Sequence, residues 1–206
     1  MIPFTIEQNS YLKQNIKGFY HTHFGGIDLP NNPNFLYKLK NDPHHNWTTD
    51  HLKNGITEFA KILIDDLPKI QSHLGVSSLT ICVVPRSKAD KNYNQNQLLF
   101  KETVKHIVNK LGLIDGTDYI IRHTNTKTTH LKKSIEGFNN DGDLPYVGIT
   151  NATCTISDNV NRKDILLIDD IYTKTVNIDE DAIQALLNKG AKSVAFYAIG
   201  NTVLKF

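Results

Sequence analysis

We predict an α/β protein built on a parallel sheet, because strand-like and helix-like patterns alternate along most of the chain. Residues 165–168 (ILLI) form a short continuous apolar run, which is typical of a strand buried on both faces of a parallel sheet. Apolar residues then recur at helical spacing until Gly190, and a second apolar strand follows at residues 193–199. This order is a β-α-β unit, and it predicts two neighbouring parallel strands.

The same alternation is predicted upstream of this unit. An amphipathic helix is expected from about residue 49, with Thr48 among its candidate caps. A strand over residues 79–84, a helix over 96–111 and a strand over 119–122 follow it. Alternating strands and helices of this kind predict one parallel α/β domain, which we assign to residues 46–206.

The first 45 residues are predicted to form an irregular segment that packs over the domain as a hood. Glycine and proline interrupt this segment repeatedly, at Gly25, Gly26, Pro30 and Pro33 among others. Residues of these two types end helices and strands, so no long element is expected here.

Composition limits the classes of partner. The formal net charge is +2, from 23 basic and 21 acidic residues, and this balance argues against a nucleic-acid or membrane partner. No apolar run approaches the roughly 18 residues of a membrane span, and no export signal is recognised. Cys82 and Cys154 lack metal-ligand spacing, so we expect buried thiols and a cytoplasmic protein.

Two adjacent acids, Asp169 and Asp170, directly follow the apolar run at residues 165–168. Ligands of open α/β sheets bind beyond the carboxyl ends of the strands, beside helix N-termini whose free N–H groups suit phosphate. The acids are therefore predicted to lie at a ligand-binding crevice.

The segment ILLIDDIYT, with the turn and helix after it, resembles the motif by which type I phosphoribosyltransferases bind 5-phosphoribosyl 1-pyrophosphate (PRPP). Segments of the remaining chain are similar to the ComF-type, amidophosphoribosyltransferase-like group of that family. The similar segments are VVPRSKADKNYNQNQLLFKETVKHIV, IIRHTNTKTTHLKKSIEGF and FLYKLKNDPHH. The resemblance covers about residues 35 to 200 in the family's order, and it implies the type I phosphoribosyltransferase fold.

The resemblance also implies a role for each part of the motif. Asp169 and Asp170 would accept hydrogen bonds from the two ribose hydroxyls, and they would meet Mg²⁺ only indirectly, through the ligand. The turn after them would wrap the 5′-phosphate with its N–H groups at the start of the next helix. The residues of this turn are Thr173, Lys174, Thr175, Val176 and Asn177.

The leaving pyrophosphate is expected to meet the loop after residues 79–84. There Arg86, Ser87 and Lys88 would neutralise its developing charge. The polar stretch from Arg122 to Asp143, with basic residues such as Lys127, is expected to act as a mobile lid that excludes water.

The turn departs from the family pattern at two positions. Thr175 stands where the family has glycine, and a β-branched residue resists positive φ. Asn177 replaces a hydroxyl residue, while Asp179 and Asp181 add negative charge in the following helix. These departures predict an altered 5′-phosphate pocket, and restoring Gly at Thr175 and Thr at Asn177 is expected to tighten PRPP binding.

Three functions remain open at this point. The first is a phosphoribosyltransferase, a glycosyltransferase that acts on PRPP or a nucleotide with pyrophosphate as partner product. The second is a non-catalytic domain of the same fold that senses PRPP or a nucleotide, or binds a partner. The third, a phosphohydrolase or phosphoacceptor receiver, needs a further acid at another strand end, which VVPRSK lacks. A homodimer is compatible with each of them.

Overall fold

The computed structural model describes residues 1–25, 30–40, 47–128 and 148–202, and eight strands and four helices lie in these ranges. The strands are β1 (Ile2–Ile6), β2 (Ile16–Phe24), β3 (Thr80–Val83), β4 (Ile114–Asp115), β5 (Ile120–Arg122), β6 (Cys154–Ile156), β7 (Asp164–Tyr172) and β8 (Ser193–Thr202). The helices are α1 (Phe35–Lys40), α2 (Thr49–Leu74), α3 (Leu99–Lys110) and α4 (Ile178–Asn188).

Six strands form the main sheet, in the order β1-β2-β8-β7-β3-β4. Every neighbouring pair is parallel except β1 and β2, which are antiparallel. The prediction of an α/β fold with a mostly parallel sheet is therefore confirmed. The strand predicted at residues 119–122 forms as β5, but it pairs with β6 in a separate antiparallel sheet and does not join the parallel one.

Helices cover both faces of the main sheet. On one face, α1, α2 and α3 bury apolar side chains such as Phe59 and Leu63 against Ile81 and Ile168 of the strands. On the other face, α4 and the β5–β6 pair pack against the alternate strand residues, including Leu167. Burial on both faces explains the unbroken apolar sequence of the central strands.

The first 45 residues differ from the irregular hood that the sequence predicts. β1 and β2 are strands of the main sheet, and β2 pairs in parallel with β8 so that Phe19 lies opposite Tyr197. Residues 16–24 are rich in aromatic and β-branched types, which favour strands. The glycines and prolines that suggested irregularity lie after β2, where they mark a connection and not the whole segment.

The long helix α2 has regular ends and an ionisable residue in its middle. Thr48 caps the start, its side chain accepting from the His51 N–H at 3.4 Å, and Gly75 ends the helix at a φ of 66°. Asp66 is completely buried, and it accepts a hydrogen bond from the Tyr197 hydroxyl at 2.7 Å. His21 Nδ1 lies 2.9 Å from the same carboxylate oxygen, Asp66 Oδ2.

These contacts control the ionisation of Asp66. Burial alone would raise the pKa of its carboxyl group, but the hydrogen bonds with His21 and Tyr197 outweigh burial and hold the pKa below its ordinary value. Asp66 therefore ties α2 to β2 and β8 as a hydrogen-bonded anion.

The predicted β-α-β unit consists of β7, α4 and β8. β7 and β8 are adjacent and parallel, and Gly190 follows α4 with a φ of 97°, as expected of a residue that ends a helix. β7 is longer than the apolar run, because it continues through Asp169 and Asp170 to Tyr172. The acids therefore lie inside β7, in its last four residues, where Asp169 is opposite Ala198 of β8.

Candidate functional site

The acids of β7 and the basic loop after β3 lie on neighbouring strands. Val83 pairs with Ile168, and the Val84 N–H donates to the Ile168 carbonyl at 2.9 Å. Because the two strands are parallel, Asp169 of β7 lies at the edge of the sheet where β3 ends and the loop with Arg86 begins. Oppositely charged groups are thus brought to the same edge of the sheet.

Asp169 lies in β7, and its charge acts on Asp179 in the first turn of α4. The Asp169 Oδ1 atom accepts a hydrogen bond from the Asp170 N–H at 2.7 Å. Burial raises the pKa of Asp179 well above its ordinary value, and the negative charge of Asp169 raises it further.

Glu180, next to Asp179, forms a second buried acidic group. It is almost fully buried, and the Tyr172 hydroxyl donates to its Oε1 at 2.9 Å. Burial raises the pKa of Glu180 above the ordinary value, and burial likewise raises the pKa of Tyr172. Asp179 Oδ1 and Glu180 Oε2 are both buried and meet no partner among the described residues.

The buried acidic cluster was not predicted from the sequence. Asp179 and Asp181 were expected only as charges near a helix N-terminus, and Glu180 was not among the predicted site residues. Asp181 has a different role, because its Oδ2 accepts from the Ile149 N–H at 2.8 Å. The signal in the sequence was the run of three acids directly after a phosphate-type turn, where simple repulsion would oppose an anionic ligand.

The turn from Thr173 to Asn177 leads from β7 into α4. The Val176 N–H donates to the Thr173 carbonyl at 2.9 Å, and the hydroxyls of Thr173 and Thr202 are 2.7 Å apart, so the turn is tied to β8. Thr175 is exposed. Lys174 is also exposed, with its Nζ 3.8 Å from Glu7 Oε2 in place of an inward contact.

The expectation that Thr175 meets a strained backbone position is wrong. Left-handed φ in this turn occurs at Asn177, with φ 60° and ψ 12°, and Thr175 is not among the described residues with positive φ. Asparagine tolerates this conformation far better than a β-branched residue does. The turn therefore needs no glycine at Thr175. The position that adopts positive φ is Asn177, and asparagine tolerates this conformation.

The connection between β1 and β2, residues 7–15, packs against the start of α4. The Asn9 Nδ2 group donates to Asn177 Oδ1 at 3.1 Å, and the Lys13 N–H donates to Gln184 Oε1 at 2.9 Å. The sequence did not predict which residues of the N-terminal segment contact α4. These hydrogen bonds place part of that segment directly beside the turn.

Arg86 is oriented by the loop that follows it. Its Nη1 donates to the Gln97 carbonyl at 2.8 Å, and its guanidinium lies 4.5 Å from the centre of the Tyr93 ring, a cation–π distance. The buried Arg122 of β5 donates from Nε to the Arg86 carbonyl at 2.6 Å. Arg122 was expected only as the start of a lid, and it is instead a support for the basic loop.

Ser87 and Lys88 are less open than the sequence predicts. Ser87 Oγ lies 2.7 Å from Thr128 Oγ1, and the Lys88 N–H donates to the Tyr93 hydroxyl at 3.1 Å. Lys88, which is expected to meet the pyrophosphate, is only 4% exposed. The start of the polar stretch after β5 is thus attached to the basic loop. Residues 129–147, most of the predicted lid, lie outside the described residues.

A protein-only metal centre is not formed by the described residues, in which no group of three or more His, Cys, Asp or Glu side chains could hold a metal ion. Asp169 and Asp170 are hard oxygen donors of the type that suits Mg²⁺. Mg²⁺ commonly binds one or two carboxylates together with the phosphates of a substrate. The donor set therefore fits an ion that arrives with its ligand.

Comparison of this chain with protein-family models and with curated protein sequences finds no match. The assignment of a function consequently depends on the residues of the crevice. Within the described ranges, each helix is too short or too polar to cross a membrane.

Proposed function

We propose that the crevice between the ends of β3 and β7 binds PRPP or a nucleotide, and that the protein transfers the phosphoribosyl group to a nitrogen nucleophile. The observation that supports this most is the charge arrangement: two adjacent acids on β7 lie beside the basic loop that follows the adjacent β3. PRPP has the matching pattern, because two ribose hydroxyls separate a phosphate from a pyrophosphate.

Each end of the ligand would meet a different part of the crevice. Asp169 and Asp170 accept from the ribose hydroxyls, and the N–H groups of the turn and of α4 meet the 5′-phosphate. Arg86 and Lys88 meet the pyrophosphate, with Ser87 as a hydroxyl donor. Bound with the ligand, Mg²⁺ would supply further neutralisation of the pyrophosphate charge.

The proposed reaction exchanges one bond at the ribose C1 atom. The bond from C1 to the pyrophosphate oxygen breaks, and pyrophosphate leaves with the electron pair. A bond from C1 to the nucleophile nitrogen forms, and that nitrogen then releases one proton to water. Arg86 assists by stabilising the negative charge that develops on the leaving group.

A second candidate is a non-catalytic domain that senses PRPP or a nucleotide. The observation that favours it is the acidic first turn of α4, where the buried carboxyl groups of Asp179 and Glu180 lie near the proposed position of a 5′-phosphate and offer it no positive charge. The hydrogen bond from Asn9 to Asn177 also favours a non-catalytic domain, because it restricts the conformation of the turn. Such a domain would bind the ligand and release no pyrophosphate.

Calorimetric titration with PRPP, with and without Mg²⁺, tests the proposal against ribose 5-phosphate and nucleoside monophosphates. Asp170→Asn should weaken PRPP binding by roughly 1.5–3 kcal/mol, or on the order of ten- to more than a hundredfold, the usual contribution of a charge-assisted hydrogen bond. Asp164→Asn is the matched control. Asp164 lies at the amino end of the same strand, where it pairs with Lys192, so PRPP affinity should not change.

Pyrophosphate release in the presence of amine or base acceptors then separates the enzyme from the sensor. Binding without release supports the sensor. Equal PRPP affinity in wild type, Asp170→Asn and Asp164→Asn would show that PRPP does not use these acids, and the proposal would be rejected.

A further inference from the structure

The residue before α4 does not cap the helix. An N-cap residue normally takes an extended conformation, and its side chain accepts from N–H groups of the first turn. Asn177 is left-handed, and its side chain makes no such hydrogen bond. Nothing in the described part of the chain accepts from the backbone N–H groups of Ile178 and Asp179. The first turn of α4 is therefore open to an acceptor from a ligand.

Asn9 holds the Asn177 side chain away from α4 by a hydrogen bond. Its Nδ2 donates to Asn177 Oδ1 at 3.1 Å, so the oxygen that would cap α4 is directed toward the β1–β2 connection. Asn9 is itself fixed, because its Oδ1 accepts from the N–H groups of Tyr11 at 2.8 Å and Leu12 at 3.0 Å. Leu12 is fully buried and anchors this turn in the core.

We propose that Asn9 is a positioning residue for the ligand site, which holds Asn177 away from α4 and thereby leaves the first-turn N–H groups available to the 5′-phosphate of the ligand. This inference rests on the proposed function. Without Asn9, Asn177 is able to relax toward the extended conformation and to accept from its own helix. The side-chain oxygen then competes with the phosphate for the same donors.

Asn9→Ser tests this arrangement with little change to the connection. A serine hydroxyl still accepts from the N–H groups of Tyr11 and Leu12, although more weakly, but it is too short to reach Asn177. We expect the affinity for ribose 5-phosphate to fall roughly three- to tenfold, the effect of one ordinary hydrogen bond. The affinity for inorganic pyrophosphate, which would bind at the basic loop, should not change.

Two controls separate positioning from general loosening of the fold. Asn15→Ser removes a hydrogen bond in the same connection, to the Gln8 N–H, and should leave both affinities at the wild-type value. In an Asn177→Ala background, Asn9→Ser should produce no further loss of ribose 5-phosphate affinity. A clear further loss there would overturn the inference.

Three other results of these titrations would count against the inference. Equal losses for ribose 5-phosphate and pyrophosphate would overturn the inference, because a positioning residue at α4 affects one end of the ligand only. Unchanged ribose 5-phosphate affinity in Asn9→Ser would overturn the inference while leaving the proposed function intact. If wild type binds neither PRPP nor ribose 5-phosphate, the proposed function fails and the inference fails with it.

Discussion

The two faces of the main sheet each bury an aspartate of a helix, and the two aspartates have opposite surroundings. Asp66 of α2 is fully buried, and Asp179 of α4 is 5% exposed. Asp66 meets the donors of Tyr197 and His21, whereas the partner of Asp179 is another acid, Asp169. The pKa of Asp66 is lowered by its hydrogen bonds, which outweigh burial, and the pKa of Asp179 is raised by burial and by Asp169.

The different surroundings mean that Asp66 is expected to stabilise the fold and Asp179 is expected to reduce its stability. A buried anion that is hydrogen-bonded to donors from several elements connects those elements. A buried acid with an unpartnered oxygen costs free energy, and such costs are concentrated where ligands bind. The α2 face is therefore expected to determine stability, and the α4 face is expected to hold the ligand site.

The largest effect is expected from Asp66→Ala. The substitution leaves Tyr197 and His21 without their buried acceptor, so the free energy of unfolding should fall by about 3–5 kcal/mol in urea titrations. Because the folded pKa of Asp66 is lowered, its contribution is present above the ordinary aspartate pKa and is lost as the pH falls through the folded pKa. Asp66→Ala should lack this acid-dependent loss.

The neighbouring Asp65 provides the matched control. Its side chain is 60% exposed and pairs with Lys69 at 2.6 Å on the helix surface. Asp65→Ala should change the free energy of unfolding by less than about 0.5 kcal/mol. Similar losses in the two variants would contradict the distinction between buried and exposed acids of α2.

A smaller effect of opposite sign is expected from Asp179→Asn. The raised pKa means that the folded state binds a proton which the unfolded state releases, so wild-type stability declines as the pH rises from the ordinary aspartate pKa toward the raised one. Asparagine cannot ionise and still donates to Asp169. Near neutral pH the variant should be about 1–3 kcal/mol more stable than wild type, and this gain should shrink on acidification.

Asp181→Asn distinguishes this effect from a general response of the α4 first turn. The Asp181 carboxyl group accepts from the Ile149 N–H, and an amide oxygen there can replace it as acceptor. Burial raises the pKa of Asp181 as well, so Asp181→Asn should also gain stability toward neutral pH, but less than Asp179→Asn, because the pKa of Asp179 is raised well above its ordinary value. Parallel pH profiles for Asp179→Asn and wild type would show that Asp179 holds no proton against Asp169.

The central elements of the fold were predictable because local pattern and burial agree there. The run at residues 165–168 is apolar since β7 is covered on both faces, and Gly190 ends α4 as expected. Residues 16–24 carry a local strand signal in their aromatic and β-branched side chains, but the glycines and prolines after them suggested irregular structure. Residue spacing also does not specify the pairing of β2 with β8, a partner far along the chain. β5 was recognised as a strand, but its pairing with β6 could not be predicted locally.

The candidate site was predictable in position and less so in detail. Strand ends fix where Asp169 and Arg86 lie, since parallel neighbours end at one edge of the sheet. The raised pKa of Asp179 depends on how α4 packs against β7, and the contact of Asn9 with Asn177 depends on a connection distant in sequence. Such contacts follow from tertiary packing, which residue spacing does not specify.

The smallest effect concerns the left-handed backbone on each face of the sheet. Next to α2 this conformation belongs to Gly75, and before α4 it belongs to Asn177. Asn177→Gly and Asn177→Thr both remove the side-chain hydrogen bond with Asn9, so the difference between the two variants reports the backbone conformation alone. Threonine should be less stable than glycine by about 1–2 kcal/mol, because its branched Cβ opposes positive φ. A threonine variant as stable as the glycine variant in urea unfolding would show that the turn is not held left-handed, and the idea that Thr at Asn177 improves PRPP binding would regain its basis.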